Sequence, residues 1–411
     1  MGYQQGLSGL AASSNDLDVI GNNIANANTV GFKQSTAQFA DVYANTIATS
    51  VNTQIGLGAA LSEVQQNFSQ GTITTTGQAL DVAINGNGFF QMSNNGTITY
   101  SRNGVFQLNK SGYITDAAGN DLMGYAADST GVVNTAQTVP IQVPTTNIAP
   151  VTTSSITAQV NLNAQSTEPT ATPFSETDSN TYNYSTSVTA YDSLGGKQQV
   201  NMYFVKDATS GQWDVYAGTT GNATKIGSMT YDSSGNLTGT TDAAGVATTL
   251  GQLSLTVNPT DGSATNQKIT LDVTGSTQYG SANGVNNLDQ NGYPSGTLSN
   301  FSIGADGTIT GNYSNGQTMT LGQIVLANFN NPNGLQNLGG NQFAATSASG
   351  VAQVSVPGST NHGTLTGGAV ESSNVDLTNQ LVDLITAQRN YQANAQTIKT
   401  QQTVDQTLLQ M

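Results

Sequence analysis

The stretch that decides the fold lies near the C-terminus and reads LTNQLVDLITAQRNYQANAQTI over residues 377–398. Every seventh residue of this stretch is apolar, namely Leu377, Leu384, Tyr391 and Ile398, and the companion positions are Leu381, Gln388, Ala395 and Gln402. Apolar residues at this spacing form a stripe on one face of an α-helix. The pattern runs to about Leu409 and predicts a long C-terminal helix. Ser373 followed by Asp376 has the spacing of a capping box and predicts where the helix begins.

The N-terminal stretch carries a second stripe with the same spacing, formed by Tyr3, Leu10, Leu17 and Ile24. Its companion positions are mostly small or polar and include one larger apolar residue, Ile20. Gly31 tolerates a left-handed backbone and predicts the end of this helix. Isolated helices take most of their stability from packing. We therefore expect both ends to become helical against one another or against neighbouring subunits; the alternative is two ordinary helices on one globular core.

Between about residues 72 and 368 the pattern is typical of β-structure. Short alternating runs, such as residues 200–205 and 253–257, are separated by hairpin-turn dipeptides such as Asn95-Gly96. The sequence therefore predicts a mainly β fold with α-helical termini. Residues 144–172 are rich in Pro, Thr and Ser, and residues 289–296 in Asn, Gly and Pro, so the two stretches predict the limits of an inserted β-domain of roughly 147–292. Residues 32–72 show little periodicity and are predicted to be an extended linker.

The composition excludes several classes of protein. The 411 residues include 24 acidic and only 9 basic side chains, with a net charge of −15, which argues against nucleic-acid binding. No apolar run approaches the ~20 residues of a membrane span, so no membrane insertion is expected. The chain has no Cys and a single His, His362, which excludes disulfides, thiolate metal sites and sites with two imidazoles. Residues 1–12 lack the features of a cleaved signal peptide.

No catalytic motif is present. The sequence contains no G-x-S-x-G, H-E-x-x-H or phosphate-binding loop. Asp-rich turns such as 192–195 and 232–235 lack the Glu that closes a calcium-binding EF-hand loop and are expected to be hairpin turns. Trp213 and the Tyr-rich residues 182–191 could stack on a sugar, although packing between strands is the more common role. We predict that the protein is not an enzyme and has no catalytic residue, metal or cofactor.

Four stretches resemble the bacterial flagellar rod and hook axial protein family. Residues 17–33, LDVIGNNIANANTVGFK, resemble its N-terminal signature, and residues 371–377, ESSNVDL, followed by 384–392, LITAQRNYQ, resemble its C-terminal helix. Residues 80–90, LDVAINGNGFF, and 322–329, GQIVLANF, resemble its shared β-domain. The residues that match the family motif are Asn22, Asn23, Asn26, Gly31, Phe32, Asn374 and Arg389.

The resemblance implies two nested β-domains carried on a coiled coil. Residues 1–31 and 372–411 would pair and line an inner tube, residues 73–146 and 293–366 would form one discontinuous β-domain, and residues 147–292 would face outward. The residues expected to mediate self-assembly are those of the terminal stripes: Tyr3, Leu10, Leu17, Ile20, Ile24, Leu377, Leu381, Leu384, Tyr391, Ile398 and Leu409.

The implied function is that of a hook subunit. Copies of the chain would form a short curved helical tube, a universal joint that transmits motor torque from rod to filament. The implied partners are other copies, the rod and hook–filament junction proteins, the hook cap and the flagellar type III export apparatus. The expected location is extracellular, reached without a cleaved signal peptide. The alternatives are a distal rod subunit, disfavoured by the inserted block, and a secreted β-rich glycan-binding or hydrolase module, which leaves the terminal stripes unexplained.

Overall fold

The computed structural model describes residues 2–42, 56–144 and 146–410. The chain divides into two compact units. Unit 1 comprises Met1–Thr145, Asn300–Asn312 and Thr318–Met411, and unit 2 comprises Thr146–Ser299 and Tyr313–Gln317. Along the sequence, unit 2 therefore interrupts unit 1, and it extends beyond residue 292, where the sequence predicted the inserted block to end.

The first part of unit 1 contains a helix followed by short strands. These are α1 (Gly2–Ala25), β1 (Ser35–Val42), β2 (Gly58–Gln66), β3 (Ile73–Thr75), β4 (Val82–Asn85), β5 (Phe89–Asn94), β6 (Thr97–Ser101), β7 (Gln107–Leu108), β8 (Ile114–Thr115), β9 (Asp121–Ala126) and β10 (Val139–Pro140).

Unit 2 is built from longer strands. These are β11 (Ser155–Asn161), β12 (Tyr184–Tyr191), β13 (Lys197–Lys206), β14 (Gln212–Thr219), β15 (Thr224–Tyr231), β16 (Leu237–Asp242), β17 (Gln252–Val257), β18 (Gln267–Asp272) and β19 (Gly284–Gln290), with a 3₁₀ turn at Ser179–Thr181.

The chain then returns to unit 1 and ends in the second helix. The remaining elements are β20 (Leu298–Ile303), β21 (Thr308–Tyr313), β22 (Thr318–Ile324), β23 (Leu326–Asn328), a 3₁₀ turn (Pro332–Gly334), β24 (Gln336–Gly339), β25 (Gln342–Ala344), β26 (Gln353–Ser355), β27 (Thr364–Gly367), β28 (Ala369–Glu371) and α2 (Leu377–Leu409). The predicted fold class, mainly β with helical termini, is confirmed. Neither helix, over the ranges described, is long and apolar enough to cross a membrane.

The helix ends differ in detail from the sequence predictions. Asp376, not Ser373, caps α2, because its carboxylate accepts hydrogen bonds from the amides of Thr378 and Asn379. The Ser373 hydroxyl instead accepts from the Val375 amide, within an extended stretch. The prediction of a capping box at Ser373 was therefore wrong. α1 ends at Ala25, six residues before Gly31, in an Asn-rich turn in which side chains compete for the backbone hydrogen bonds.

The predicted linker of residues 32–72 contains a hairpin. β1 and β2 pair antiparallel from Ser35 opposite Gln66 to Val42 opposite Gly58. In β1 only Ala37 is buried. Because the hairpin buries so few side chains, it lacks the apolar alternation by which strands are recognised in a sequence.

The sheet of unit 1 brings distant parts of the chain together. Its main path runs β20-β21-β22-β9-β5-β6-β25-β24. Leu326 of β23 pairs with Phe90 of β5, so the stretches 80–90 and 322–329 lie side by side. The core between them is aromatic: the Phe329 ring meets Tyr100 edge-on with centroids 4.8 Å apart, and Phe89 at 5.9 Å.

Unit 2 is a sandwich of two sheets. One is the antiparallel meander β12-β13-β14-β15-β16, and the other has the order β17-β18-β11-β19. Both sheets contribute to one apolar core, in which Phe204, Trp213 and Ile156 are fully buried. Trp213 therefore packs between strands and is not exposed for stacking on a sugar.

We expect Phe204→Ala to destabilise unit 2 by about 3–5 kcal/mol, because it opens a cavity in a fully buried core. Trp213 is the single tryptophan, so its fluorescence during urea denaturation reports on this unit. The matched control is Val246→Ala, because Val246 is 63% exposed and its truncation is expected to change stability by about 0.5 kcal/mol or less. Equal losses for the two variants would contradict the assignment of this core.

Candidate assembly site: the helix pair and its buried ion cluster

α1 and α2 lie side by side and run antiparallel. Asn23, near the end of α1, bonds Gln380 near the start of α2. At the other end of the pair, Gly9 faces Asn394 and Gly6 faces Ile398. A Cβ on Gly6 would lie 2.9 Å from Ile398 Cγ1, and one on Gly9 would lie 2.8 Å from Asn394 Nδ2. Glycine at these two positions lets the helices approach closely.

The Asn23 side chain joins three elements. Its Nδ2 donates to Gln380 Oε1 at 2.9 Å and to the Ser35 carbonyl at 2.7 Å, and its Oδ1 accepts from the Ser35 amide at 2.9 Å. Asn23 is 1% exposed and Gln380 3%. A buried amide pair of this kind fixes the register of α1, α2 and β1, since a shift would leave polar groups unpaired.

The structure divides the predicted stripes into a contacting part and an exposed part. On α1, Ile20 is buried, Leu10, Leu17 and Ile24 are half-buried, and Tyr3 is exposed. On α2, Leu384 and Ile398 are half-buried, while Leu377, Leu381 and Tyr391 are exposed. The side chain of Leu409 lies outside the described residues. The face of α2 that meets α1 instead contains Gln380, Ala387 and Asn394, to one side of the predicted stripe.

An apolar face of α2 is consequently exposed. We call Leu377, Leu381 and Ile385, which follow one another every four residues, the exposed helix stripe; their side chains are 47%, 45% and 50% exposed. Residues four apart lie on the same face of a helix. Further large apolar side chains are exposed on α1 and on the hairpin, namely Tyr3, Leu7, Phe39, Leu61 and Val64. Contiguous apolar surface of this kind marks an interaction site in a protein.

Two carboxylates face each other within the helix pair. Asp16 of α1 and Asp383 of α2 line a cleft of about 260 Å³ between α1, α2 and β1. Burial, and then the nearby charge of Asp383, raise the pKa of Asp16 above its ordinary value. Ionised Asp16 therefore opposes the packing of the two helices.

An ion cluster of Lys33, Arg102 and Glu371 lies buried in unit 1. Lys33 Nζ is 2.7 Å from Glu371 Oε1, and Arg102 Nη1 is 3.2 Å from Glu371 Oε2. The three side chains are at most 3% exposed. Two cations thus share one carboxylate away from water, and the cluster holds one excess positive charge.

Three backbone groups bond the ion cluster, and Arg102 Nε has no hydrogen-bond partner among the described atoms. Glu371 Oε1 accepts from the Gly71 amide, Lys33 Nζ donates to the Ser69 carbonyl, and Arg102 Nη2 donates to the Gly86 carbonyl, each at 2.8 Å. Burial, and then the charge of Arg102, lower the pKa of Lys33. Burial likewise lowers the pKa of Arg102. The cluster therefore joins the segment after α1, the loops that contain residues 69–71 and residue 86, and β28, the strand that leads to α2.

Motif residues surround the ion cluster. Gly31 has a φ of +71°, and its amide donates to the Glu371 carbonyl at 2.8 Å. A Cβ on Gly31 would lie 2.7 Å from the Asn103 nitrogen, so only glycine fits there. Asn374 Oδ1 accepts from the Gln34 amide at 2.7 Å, and its Nδ2 donates to the Asn67 carbonyl at 2.8 Å.

The other motif residues have lesser roles within one chain. Asn26 Nδ2 donates to the Asn22 carbonyl at 3.0 Å, in the turn that ends α1. Phe32 is half-buried, and Arg389 is exposed on α2. Gly31 and Asn374 thus bond the segments that form the ion cluster, whereas Asn23 bonds Ser35 and Gln380 and Arg389 is exposed on α2.

Four protein families match successive parts of the chain. Residues 4–33 match "Flagella basal body rod protein", 83–163 "Flagellar hook protein FlgE/F/G D1 domain", 161–293 "Flagellar basal body protein FlaE D2 domain" and 366–411 "Flagellar basal body rod FlgEFG protein C-terminal". The flagellar hook protein FlgE of Salmonella typhimurium is 43% identical, with all of both chains covered. The chain belongs to the flagellar hook protein FlgE family.

Other FlgE proteins agree in length and sequence. FlgE of Escherichia coli K12 is 42% identical with full coverage of both chains, and FlgE of Treponema pallidum is 31% identical over 99% of this chain and 98% of its own. The crystal structure of Helicobacter pylori flagellar hook protein FlgE2 superposes with a TM-score of 0.51 at 14% identity, covering 73% of this chain and 100% of that one. At that identity the match shows a shared fold.

The sequence alone did not identify Arg102, Glu371 or Gln380 as residues of the ion cluster or of the contact between the helices. A signal was available: charged residues are only 8% of the chain, yet Lys33 and Glu371 lie within stretches that resemble the family, and Arg102 follows the stretch 80–90 by twelve residues. A rare charge inside such a stretch is a candidate for a buried ion pair.

We expect Glu371→Gln to lower the free energy of unfolding of unit 1 by about 3–5 kcal/mol, because it leaves two buried cations without their counter-charge. The connection between the helix pair and the sheet of unit 1 should weaken as a result. Hydrogen exchange of the Gly31 and Gly71 amides, which both bond Glu371, measures the loss. Glu63→Gln, the same change at an exposed side chain of β2, is the control. Unchanged protection of both amides in Glu371→Gln would show that the carboxylate does not hold this join.

We expect Asp16→Asn to increase the protection of amides in α1 and α2 at neutral pH. Because the pKa of Asp16 is raised in the folded state, the helix pair is most stable below the ordinary carboxyl pKa of 3.8 and loses that stability as the pH rises through the raised pKa. The amide variant removes this pH dependence. Asp18→Asn, on an exposed position of α1, should leave it in place, and the same pH response in both variants would refute the role of Asp16.

Proposed function

We propose that this chain is the structural subunit of the bacterial flagellar hook. Many copies assemble through the terminal helices into a short curved tube, which acts as a universal joint and passes motor torque from the rod to the filament. Membership of the FlgE family supports the location in the hook. The exposed helix stripe is the observation that carries the assembly mechanism.

Among the residues that the structure describes, none covers the exposed helix stripe. Half of the surface of Leu377, Leu381 and Ile385 faces solvent, although these are large aliphatic side chains. Covering apolar surface is favourable by about 25 cal/mol per Å². A neighbouring copy that covers the stripe therefore stabilises the polymer and orders α2 at the same time.

The exposed apolar surfaces differ from one another, which favours an open assembly. One lies on α2, and the other consists of Tyr3 and Leu7 on α1 together with the hairpin side chains. α1 carries two Asp and no basic residue, whereas α2 carries two acidic and two basic residues, Asp383, Asp405, Arg389 and Lys399. Unlike surfaces that match head to tail generate rings or helical filaments, not closed dimers.

Each segment of the chain has its own role in this proposal. Residues 1–31 and 372–411 form the inner tube, with the terminal stripe residues as contacts between and within subunits. Residues 73–146 and 293–366 form the β-domain around it, and residues 147–292 face outward. Asn23, Gly31 and Asn374 position the helices on the β-region. The motif residues Asn22 and Asn26 bond each other in the turn that ends α1, and Phe32 follows that turn.

The composition suits a joint that bends. Only 33 of the 411 residues are charged, so lateral contacts rest mainly on amide and hydroxyl groups. Such groups exchange a protein partner for water at a net cost of about 1 kcal/mol per hydrogen bond. We infer a structural protein without enzymatic activity, exported by the flagellar type III apparatus, assembled with the hook cap, and joined to the rod and the hook–filament junction proteins.

We expect the double variant Leu381→Ser and Ile385→Ser to remain a folded monomer but to lose tube formation, because it removes the apolar surface that a neighbour covers. Electron microscopy of hooks sheared from cells, with circular dichroism of the purified chain, separates assembly from folding. Val351→Ser is the control, since Val351 is 87% exposed and lies outside the helices. Curved tubes of normal length from the double variant would disprove assembly through this stripe.

A further inference from the structure

The chain contains eight Asn-Gly dipeptides, which begin at Asn85, Asn87, Asn95, Asn103, Asn283, Asn291, Asn315 and Asn333. Asparagine is a chemically labile residue. When glycine follows it, the glycine amide nitrogen can attack the asparagine side-chain carbon Cγ, because glycine has no Cβ to block the approach. The attack requires an accessible side chain, a glycine amide that no strong acceptor holds, and a backbone that can move. The structure decides which of these dipeptides meets all three requirements.

Asn95 and Gly96 form the two-residue turn between β5 and β6, next to the pair Asn94–Thr97. Asn95 has a φ of +49° and Gly96 a φ of +92°, as in a type I′ turn. Among the eight Asn-Gly dipeptides, all of which lie in the described ranges, only this one has both residues exposed. A Cβ on Gly96 would meet no described atom within 4 Å. The peptide bond at this hairpin tip is therefore surrounded by open space.

Only a long and a local hydrogen bond hold the two reacting groups of this turn. The Gly96 amide donates to Ser93 Oγ at 3.3 Å, which is long for an N–H donor. Asn95 Nδ2 donates to Asn94 Oδ1 at 3.0 Å, and Asn94 is itself an exposed neighbour in the same hairpin tip. The attacking nitrogen is therefore weakly held, and the leaving amide group is bonded to a side chain that moves with it.

At the other Asn-Gly dipeptides the fold opposes the reaction. In three of them the glycine amide makes a hydrogen bond of 3.1 Å or less, from Gly86 to Gln70 Oε1, from Gly316 to the Tyr313 carbonyl and from Gly334 to the Asn331 carbonyl. In three others the glycine is buried, namely Gly88, Gly104 and Gly292. In the last, Asn283 Oδ1 accepts from the Asn163 amide at 2.6 Å, which fixes the side chain.

We propose that Asn95 is a site of spontaneous deamidation in the folded protein. The Gly96 amide nitrogen loses its proton to hydroxide and bonds to Asn95 Cγ. The Cγ–Nδ2 bond then breaks, and ammonia leaves with a proton taken from water. Water next opens the cyclic succinimide at either of its two carbonyl groups, which gives Asp or isoaspartate at position 95. Each conversion replaces a neutral amide by a carboxylate and makes the net charge of −15 more negative by one.

The two products affect the hairpin differently. Asp at position 95 keeps the length of the backbone and, like Asn, tolerates a positive φ. Isoaspartate adds a methylene group to the backbone, so the two-residue loop no longer matches a type I′ turn. We expect the Asn94–Thr97 pair to open, whereas the other end of β5, where Phe90 pairs with Leu326, stays intact. The modification therefore changes the charge and the shape of the tip without reaching the aromatic core.

The test incubates the folded full-length chain in mildly alkaline buffer at physiological temperature. Tandem mass spectrometry then measures, at each Asn-Gly dipeptide, the fraction converted to Asp or isoaspartate. Asn95 should convert several-fold faster than Asn87 and Asn315, because only its dipeptide is exposed at both residues. The same chain in guanidinium chloride loses the protection that the fold gives, so the rates at these positions should become similar.

A matched pair of variants measures the contribution of Asn95. Asn95→Gln should lower the release of ammonia from the folded chain several-fold, because a Gln side chain has to close a larger and less favourable ring. Asn315→Gln is the same change in the turn between β21 and β22 and should leave the release unchanged. Circular dichroism checks that both variants are folded.

The proposal is overturned if Asn95 converts no faster than Asn87 and Asn315 in the folded chain, or if Asn95→Gln releases as much ammonia as the wild type. It is also overturned if the folded and unfolded chains show the same ratio of rates, since the local sequence and not the turn would then set the rate. The comparison within the wild-type chain needs no variant, so a change of the turn caused by Asn95→Gln does not affect it.

Discussion

The buried carboxylate of Glu371 is the interaction on which the arrangement of unit 1 depends. It receives Lys33 from the segment after α1 and Arg102 from the β-region, and it lies at the end of β28, shortly before α2 begins. Removing charges from water is costly, and a buried ion pair contributes little net stability compared with apolar packing. Its effect is on specificity, because any arrangement that separates these three side chains leaves a charge buried without a partner. In a chain with so few charges, this cluster fixes where the two ends meet.

The contact between α1 and α2 is largely polar, because small and amide-bearing residues form it. Gly6, Gly9, Asn23 and Gln380 lie where larger apolar side chains would stabilise an isolated pair. The apolar side chains are instead exposed on α2, as the stripe around Leu381. The helices of one chain are therefore positioned by hydrogen bonds and a buried ion cluster, while the exposed helix stripe stays in contact with solvent. This division suits the assembly through the terminal helices that we propose for this chain.

Unit 2 is stabilised differently. Its two sheets enclose a continuous apolar core around Phe204 and Trp213, so it does not depend on neighbours for burial. Unit 1 also has a buried core, around Phe89 and Phe329, but its two helices contact each other mainly through small and polar residues.

The sequence by itself determined the helical ends, the β-rich interior, the turns and the family, because heptad spacing, turn dipeptides and motif residues such as Gly31 are local patterns. It did not determine which side of α2 faces α1, since the stripe and the true contact line differ by less than one helical turn. It missed the hairpin of β1 and β2, whose strands bury almost nothing. Only the tertiary structure decided the pairing of Lys33 with Glu371, 338 residues apart. Such contacts arise when the fold closes, because the partners share no pattern along the chain.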